Sequence, residues 1–494
     1  LEVVRDPERF IAALAKANAR DVPVVVLRPG RTERGREHLL SHSGRLAGSD
    51  GAFEAVFRRH GVLRASTMDE WWSTVLLMAH PRRPGPGGVA AIMDSGGQRS
   101  LLADDADELG VPWARIGAET KRRLAERLSY GLPAINPVDA WGGEPDWPDV
   151  FRDCFSAVVN DPDTAIGMLI SDIGAGDSFA DKLAKVCQDV AAATTKPVVA
   201  GTYTSRQFYP RYINELSRSG IPVLDGGRTS LLAIRHALAY RDHRARAAEP
   251  PPPAPDRATA ERWRRRLGAV AALDEAESFA MLEDFGIPVA ASRPAASLDE
   301  ALAAAAALGY PAALKTAAGV VHKSDRIGVR LGLGDERALA AAYRDLAGRL
   351  GPRVLVAAMA SPGVEVALGV VRDQEFGPIV MVGAGGVLVE LLAEARFALA
   401  PVGEGEVLRM IGQLRLGRLL AGVRGRRPAN VEALCTMVSR LSSMAAALGD
   451  SVAEIDVNPV LVGPERVVAV DALVRTSGRV ELGRSVGEGA VASS

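Results

Sequence analysis

A histidine at position 42 lies within Ser41–Asp50, a polar segment made mostly of small, flexible residues. Helical spacing resumes directly afterwards, with apolar residues at Phe53 and Phe57. Backbone N–H groups and the positive end of such a helix would suit an anion, and an imidazole in this setting can be a nucleophile towards phosphoryl groups. The segment is compatible with a phosphorylated histidine or with an ordinary polar loop beside a capping serine, and both interpretations stay open here.

A second glycine-containing turn, Ser95–Gln98, has the sequence Ser-Gly-Gly-Gln. It follows a predicted strand at Val89–Met93 and precedes a predicted helix at Leu101–Leu109. A turn between a strand and a helix N-terminus can bind phosphate through its backbone N–H groups. The same pair of glycines also fits a plain connection between a strand and a helix.

Lys315 ends the short apolar run Pro311–Lys315. A lysine at the end of a strand is usually solvated, but it can also face the phosphates of a nucleotide. The functional interpretation therefore needs support from other parts of the chain.

An acidic strand near the C-terminus offers oxygen ligands. Glu454, Asp456 and Asn458 alternate along it, so they share one face of a strand, and Asp471 follows after a further strand. Oxygen ligands without Cys or His suit Mg²⁺ that carries substrate phosphates. Any acidic strand could show this pattern by chance, which is the alternative.

The composition limits the classes of protein to be considered. The chain has 494 residues, 48% of them hydrophobic, and a formal net charge of −1. At about 150 residues per domain this predicts three domains with substantial cores. The balanced charge argues against general electrostatic binding to nucleic acid or to an anionic membrane. The low aromatic content, 5%, argues against stacking on single-stranded nucleic acid. The three cysteines match no metal-binding spacing, and with no signal or membrane-spanning run we expect a cytoplasmic protein.

Strand and helix signals alternate through the first half of the chain. Short apolar runs of the kind found in buried parallel strands occur at 23–27, 89–93, 165–170, 197–200 and 222–224. Helical stretches separate them, which predicts a doubly wound parallel sheet. Glu249–Pro255 (EPPPPAP) is a polyproline linker, and a mixed α/β segment with Ala-rich helices follows it.

Taken together, these blocks resemble the NDP-forming acyl-CoA synthetases, relatives of succinyl-CoA synthetase. Val24–Asp50 resembles the phosphohistidine segment of that family, and Asn136–Asp139 matches a further family block. The region after the linker resembles an ATP-grasp domain. The blocks in register with it are Glu275–Pro288, Lys315, His322–Asp325, Gly363–Gly369, Phe376–Glu390 and Glu454–Pro459. The fold class implied is α/β, with flavodoxin-like parallel-sheet domains and a C-terminal ATP-grasp domain.

The resemblance implies roles for particular residues. His42 would be the phosphorylated histidine, Glu2 would support it, and His322 would be a second histidine that carries phosphate between distant sites. The positions implied to bind phosphate are Ser43, Gly44, Ser95, Gly96 and Gly97. The positions implied to bind ATP are Lys315, Val356, Met359, Glu365 and Glu390. The implied Mg²⁺ ligands are Asn458 and Asp471, with Glu454 nearby.

The domain boundaries predicted on this basis are 1–82 for part of a succinyl-CoA-synthetase-like domain with the phosphohistidine loop, 83–245 for a second flavodoxin-like domain, 246–258 for the linker, 259–480 for the ATP-grasp domain and 481–494 for the tail. Family members normally begin with a CoA-binding Rossmann domain, which this sequence lacks, and its first residue is Leu1. We therefore expect either a fragment of a longer chain or a separate subunit that binds CoA.

The expected activity is ligation of a small carboxylic acid to CoA with ATP or GTP and Mg²⁺, through a phosphohistidine and an acyl phosphate. The expected assembly is a homo-oligomer or a complex with a CoA-binding part, without nucleic acid or membrane. Two alternatives remain. One is a regulatory protein of the same ancestry that senses nucleotide or acyl-CoA, and the other is an ATP-grasp ligase that makes an acyl phosphate without phosphohistidine.

Overall fold

The structure is a computed structural model of the chain. It describes residues 1–30, 32, 34, 50–143, 145–172, 178–204, 210–247, 249, 251–317, 328–386, 394–422, 425 and 427–477. Of the residues predicted to act, His42, Ser43, Gly44, His322 and Glu390 lie outside these ranges.

The chain forms two compact units. The first comprises residues 1–47 and 60–247, and the second comprises residues 48–59 and 248–494. The boundary after residue 247 falls inside the predicted linker 246–258. The predicted segments 1–82 and 83–245 belong to the same unit apart from residues 48–59, and the finer domain boundaries stay a prediction.

The described helices and strands are numbered in chain order. The helices are α1 Pro7–Ala19, α2 Asp50–His60, α3 Met68–Met78, α4 Gly96–Leu109, α5 Ala118–Arg127, α6 Trp147–Val159, α7 Ser178–Ala192, α8 Pro210–Arg218, α9 Gly227–Ala245, α10 Arg257–Leu267, α11 Glu275–Asp284, α12 Leu298–Leu308, α13 Glu336–Leu350, α14 Glu404–Gly412, α15 Leu416–Leu420 and α16 Val431–Leu448. The strands are β1 Val25–Leu27, β2 Leu63–Ala65, β3 Gly88–Met93, β4 Val138–Asp139, β5 Thr164–Ile170, β6 Val198–Gly201, β7 Val223–Leu224, β8 Ala272–Leu273, β9 Ser292–Ala295, β10 Ala312–Thr316, β11 Val329–Leu333, β12 Val354–Ala358, β13 Val364–Asp373, β14 Gly377–Ala384, β15 Ala395–Leu399, β16 Val452–Val462, β17 Val467–Ala469 and β18 Leu473–Thr476.

The first unit is built on a five-stranded parallel sheet with the strand order β4-β3-β5-β6-β7. Every residue of β3 and β5 is buried, because helices cover both faces of the sheet. The prediction of a doubly wound parallel sheet is confirmed. The strand order is the flavodoxin-like one, whose topological switch point lies between β3 and β5. A separate parallel pair, β1 and β2, belongs to the same unit.

Two helices of the first unit, α3 and α9, are joined by a buried polar network. The Nε2 atom of His236 lies 3.5 Å from Oε1 of Glu70, and Nδ1 lies 2.9 Å from the Thr74 hydroxyl. Glu70 also accepts a hydrogen bond from the backbone N–H of Ser66 at 2.7 Å, which helps to cap α3. Burial lowers the pKa of His236 to about 4, although the Glu70 carboxylate opposes the shift. The imidazole is therefore neutral at physiological pH.

The second unit contains two antiparallel sheets. The smaller has the strand order β11-β10-β12-β9, and the larger has the order β15-β14-β13-β16-β18-β8 with β17 on β16. The helix α16 packs in the core formed on the larger sheet. By length and composition alone, Val431–Ser451 could cross a membrane, but core helices meet the same criterion and 61% of its most apolar window is buried.

Residues 50–59 of helix α2 belong to the second unit although they precede most of the first unit in sequence. The ring of Phe53 makes an edge contact with the ring of Phe376, with centroids 5.1 Å apart. Arg58 donates a hydrogen bond to the side chain of Gln413 at 2.8 Å and lies 3.5 Å from Glu406. The helix directly after the segment that contains His42 is thus held by the ATP-grasp unit.

Candidate functional site

The carboxyl ends of the parallel strands in the first unit carry a group of carboxylates. Asp94 follows β3, Asp139 ends β4, and Asp172 follows β5. Asp94 accepts a hydrogen bond from the Ser171 hydroxyl at 2.8 Å, and Asp172 accepts one from the backbone N–H of Tyr203 at 3.0 Å. These residues surround the switch point, which is where doubly wound sheets bind their ligands.

The predicted turn at Ser95 connects β3 to helix α4. The Ser95 hydroxyl caps the helix by accepting from the N–H of Gln98 at 3.4 Å. Gly96 and Gly97 occupy the first turn, where backbone N–H groups have no intrahelical acceptor. A Cβ on Gly96 would lie 3.1 Å from Oδ2 of Asp139, so the turn passes close to that carboxylate. The turn therefore has the form that the sequence predicts, and phosphate binding there stays a prediction.

Electrostatics at this edge are unusual. Burial raises the pKa of Asp94, and the carboxylates of Asp139 and Asp172 add to the shift, whereas the hydrogen bond from Ser171 opposes it. Among the described residues, Asp94 Oδ1 and the hydroxyl of Tyr203 are buried without a hydrogen-bond partner. Buried polar atoms without partners are rare in native proteins and often mark a site that a ligand or water completes. Asp94, Asp139 and Tyr203 were not predicted as site residues, although Asp94 directly follows a predicted strand and Asp139 ends a family block.

Glu2 lies near the first strand of the chain. The N-terminal ammonium of Leu1 donates to the carbonyl oxygen of Leu27 at 2.8 Å. Glu2 is consequently near the carboxyl end of β1, after which the segment with His42 follows. Its supporting role stays a prediction, because His42 lies outside the described residues.

In the second unit, Lys315 is buried and paired. Its Nζ atom lies 2.6 Å from Oε1 of Glu275 and donates to the carbonyl oxygen of Val470 at 2.5 Å. The ammonium also lies 5.9 Å from the centroid of the Phe279 ring. The strand β10 and the first turn of α11 thus hold this cation in one place. The sequence did not predict Glu275 as its partner, since 40 residues separate the two.

The predicted oxygen ligands lie on β16 and around it. The pKa of Asp456 is raised by partial desolvation and then by the carboxylates of Glu454 and Asp471. Glu454 lies 3.2 Å from the guanidinium of Arg475. The structure thus places Glu454 and Asp471 close enough to Asp456 to affect its pKa. The strand alternation had already predicted that Glu454 and Asp456 share one face.

A glycine turn after β14 joins two further predicted residues. The backbone N–H of Gly386 donates to Oδ1 of Asn458 at 3.1 Å. A Cβ on Gly386 would lie only 1.4 Å from Oε2 of Glu365, and the φ angle of this glycine is +55°. Glu365 and Asn458 therefore both approach Gly386, whose left-handed backbone favours glycine.

The remaining predicted ATP contacts differ in their exposure. Val356 is fully buried in the core of the smaller sheet, and its strand β12 is paired with β10 on one side and β9 on the other, so its contact with ATP stays a prediction. Met359, just beyond the end of β12, is exposed. In the described part of the chain, no group of three or more His, Cys, Asp and Glu side chains forms a metal site. The metal prediction combines two carboxylates with an amide and is untested.

Two family models match the chain. An ATP-grasp domain matches residues 267–476, and a succinyl-CoA ligase like flavodoxin domain matches residues 1–78. Both kinds of domain are predicted from the sequence, and the resemblance is confirmed.

Two curated proteins and one solved structure are similar to this chain in sequence. The ADP-forming acetate–CoA ligase I of Archaeoglobus fulgidus is 33% identical over 490 residues, which cover 95% of this chain and 68% of that protein. Subunit beta of the ADP-forming acetate–CoA ligase II of Pyrococcus furiosus is 37% identical, covering 42% of this chain and 92% of the subunit. The solved structure of the dinucleotide-forming acetyl-coenzyme A synthetase 1 of Ca. Korarchaeum cryptofilum, in complex with coenzyme A, is 34% identical over 44% of this chain and 98% of the other, with a TM-score of 0.41.

Proposed function

This chain belongs to the family of ADP-forming acyl-CoA synthetases, and on that premise we propose that it ligates a carboxylic acid to CoA with ATP, releasing ADP and phosphate. The observation that carries the proposal is the position of residues 50–59 in the second unit. His42 precedes them by a few residues on a segment that starts in the first unit. The chain thereby links the unit with the Ser95 turn to the unit with the buried Lys315.

The proposed reaction has three steps. A ring nitrogen of His42 attacks the γ-phosphorus of ATP, so that an N–P bond forms and ADP leaves. A carboxylate oxygen of the acid then attacks the same phosphorus, which breaks the N–P bond and gives an acyl phosphate. The CoA thiolate finally attacks the acyl carbon, and phosphate leaves. His322 would assist the first step as a relay: its ring nitrogen attacks the γ-phosphorus as ADP leaves, and His42 then attacks the same phosphorus as the N–P bond to His322 breaks.

The described residues supply binding and charge in this scheme. Lys315 would neutralise phosphate oxygens of the nucleotide, and the first turn of α4 at Gly96 and Gly97 would bind the transferred phosphoryl group. Mg²⁺ would be held by the side-chain oxygens of Asn458 and Asp471, with Glu454 nearby, because carboxylate and amide oxygens are the ligands that this cation prefers. When bound, Mg²⁺ neutralises charge on the ATP phosphates.

The cellular setting is part of the proposal. The Pyrococcus furiosus relative is a subunit of its enzyme. We propose by similarity that this chain acts as a homo-oligomer or together with a part that binds CoA, in the cytoplasm. Size measurement of the purified protein, alone and with a CoA-binding partner, tests this assembly.

The proposal is tested by labelling the protein with γ-labelled ATP and Mg²⁺. We expect label that is stable in base and labile in acid, as for a phosphohistidine. His42→Ala should lose stable labelling, and His322→Ala should slow it. The matched control is His38→Ala, four residues before His42 in the same segment, which should label normally.

Other outcomes separate the alternatives. Nucleotide binding without any label would favour a sensor of nucleotide or acyl-CoA. Acyl-CoA formation that survives His42→Ala would favour a ligase that makes the acyl phosphate directly on ATP. Either result would contradict the phosphohistidine route.

A further inference from the structure

A cluster of aromatic rings lies at the carboxyl edge of the parallel sheet. The ring of Trp141 is 5.7 Å from the rings of both Trp147 and Phe179, and the last two are 4.7 Å apart. Phe151 continues the cluster inward, 5.6 Å from Trp147. Aromatic residues make up only 5% of the chain, so this concentration is a feature of the site rather than of the composition.

The cluster borders the switch point of the sheet. Trp141 follows β4, Trp147 begins α6, and Phe179 lies in the first turn of α7, the helix after β5. The crevice at the switch point is where a doubly wound sheet binds its ligand. The aromatic side of that crevice is therefore placed to contact a ligand directly.

Asp139 connects the cluster to the predicted phosphate-binding turn. Its Oδ1 atom accepts a hydrogen bond from the backbone N–H of Trp141 at 3.2 Å. Its Oδ2 atom lies 3.1 Å from the position of a Cβ on Gly96. The Asp139 carboxylate thus lies beside both the turn and the backbone from which the Trp141 side chain extends.

Exposure distinguishes Trp141 from the rings behind it. Trp147 is 9% exposed and Phe151 is fully buried, whereas Trp141 is 41% exposed. The inner rings hold Trp141 by edge and tilted contacts and leave part of its surface open to solvent. A rigid aromatic surface of this kind binds apolar groups at little cost in conformational entropy.

The charges around the crevice narrow the substrate class further. Asp94, Asp139 and Asp172 all lie at this edge; burial is the main cause of the raised pKa of Asp94, and the other two carboxylates add to it. The proposed carboxylate position at Gly96 is itself close to Asp139, and there the positive end of α4 offsets the repulsion. A second negative group on the acyl chain would meet further like charge without that offset. A dicarboxylic acid is disfavoured for this reason.

We propose that Trp141 forms the wall of an acyl-binding subsite that selects monocarboxylic acids with an aromatic or extended apolar acyl group over acetate. The acid would place its carboxylate beside the phosphoryl group that Gly96 and Gly97 bind, and its acyl group on the open surface of Trp141. This inference rests on the proposed function, because the acid is the substrate of that reaction.

The test compares trans-cinnamate with acetate on the purified full chain. Ligand-observed NMR measures binding of each acid without ATP or CoA, and discharge of labelled phosphoenzyme measures use of each acid. The variants are Trp141→Ala and Trp141→Phe. The matched control is Trp72→Ala, since Trp72 is 58% exposed on α3 in the same unit.

We expect the wild type to prefer cinnamate, and Trp141→Ala to weaken cinnamate binding roughly tenfold while the weak binding of acetate changes little. Trp141→Phe should recover part of the preference, and Trp72→Ala should match the wild type. Equal loss of both acids, or an unchanged preference in Trp141→Ala, would overturn the inference. If the protein never accepts phosphate from ATP, the proposed function fails, but the binding comparison still decides the role of Trp141.

Discussion

The ammonium of Lys315 and the carboxylate of Glu275 form an ion pair at 2.6 Å, and both side chains are buried. Breaking a buried pair by removing one partner leaves an uncompensated charge and typically costs about 3 to 5 kcal/mol. The pair therefore fixes the cation that we propose binds ATP phosphates.

We predict that Glu275→Gln lowers the free energy of unfolding by about 3 kcal/mol, because Lys315 is left charged and buried. The double variant Glu275→Gln, Lys315→Met should recover part of this loss. Urea unfolding of the single and double variants measures the coupling. Additive losses would show that the two residues do not act as a pair. Stabilisation by Mg·ATP should disappear in every variant that lacks Lys315.

Gly386 provides a steric prediction. Gly386→Ala should weaken ATP binding and destabilise the second unit by about 1 to 2 kcal/mol, because alanine resists the left-handed backbone there and its Cβ would displace Glu365. The control is Gly334→Ala, since a Cβ at that glycine would have no atom within 4 Å. Calorimetric titration with Mg·ATP and thermal unfolding provide the two measurements. Equal ATP affinity and equal thermal stability of the two variants would contradict a role of the Gly386 turn, which Glu365 and Asn458 approach, in binding ATP.

Helix α2 provides a prediction about phosphoryl transfer. Arg58→Ala removes the contacts with Gln413 and Glu406, so the helix should be held less well and labelling of His42 should slow several-fold. The affinity for ATP should not change, since neither partner is among the predicted ATP contacts. Arg59→Ala alters the next, exposed residue of the same helix and serves as the control. A slower rate in both variants, or in neither, would argue against this role of the helix.

The buried network of His236 predicts how stability depends on pH. Its pKa is near 4 in the folded protein and about 6.5 in the unfolded chain, so the unfolded state binds more protons between these values. The stability that this residue contributes is complete above pH 6.5 and falls as the pH is lowered towards 4, by up to about 3 kcal/mol. Urea unfolding midpoints at pH 7 and pH 5 measure how the free energy of unfolding changes with pH. The His236→Gln variant should show a smaller slope, and an unchanged slope would mean that other groups cause it.

Much of the fold could be predicted from local patterns. The runs at 89–93 and 165–170 are too apolar for a one-sided sheet, and they form the fully buried strands β3 and β5. The Ser95 turn was predictable because a capping serine and two glycines stand between a strand and a helix. The alternation of Glu454 and Asp456 likewise fits the period of a strand, whereas the register between β13 and β16 shifts at Asn458.

Contacts between distant parts of the chain could not be predicted in this way. Glu275 was predicted only as the start of a family block, and Asp139 only as the end of one, because nothing local shows which residue each will face. Trp141 carries no signal of its own, since an exposed tryptophan in a polar loop resembles many others. Its position matters because β4 lies beside β3 in the sheet.

By itself, the sequence determined which segments become buried strands, where the helices are capped, and which residues carry the family pattern, since these depend on neighbours within a few positions. Only the tertiary structure decided that Asp139 stands between Gly96 and Trp141, that Glu275 pairs with Lys315, and that residues 50–59 join the ATP-grasp unit. The physical reason is that strand order and core packing bring together residues far apart in the chain, and local preferences do not specify those pairings.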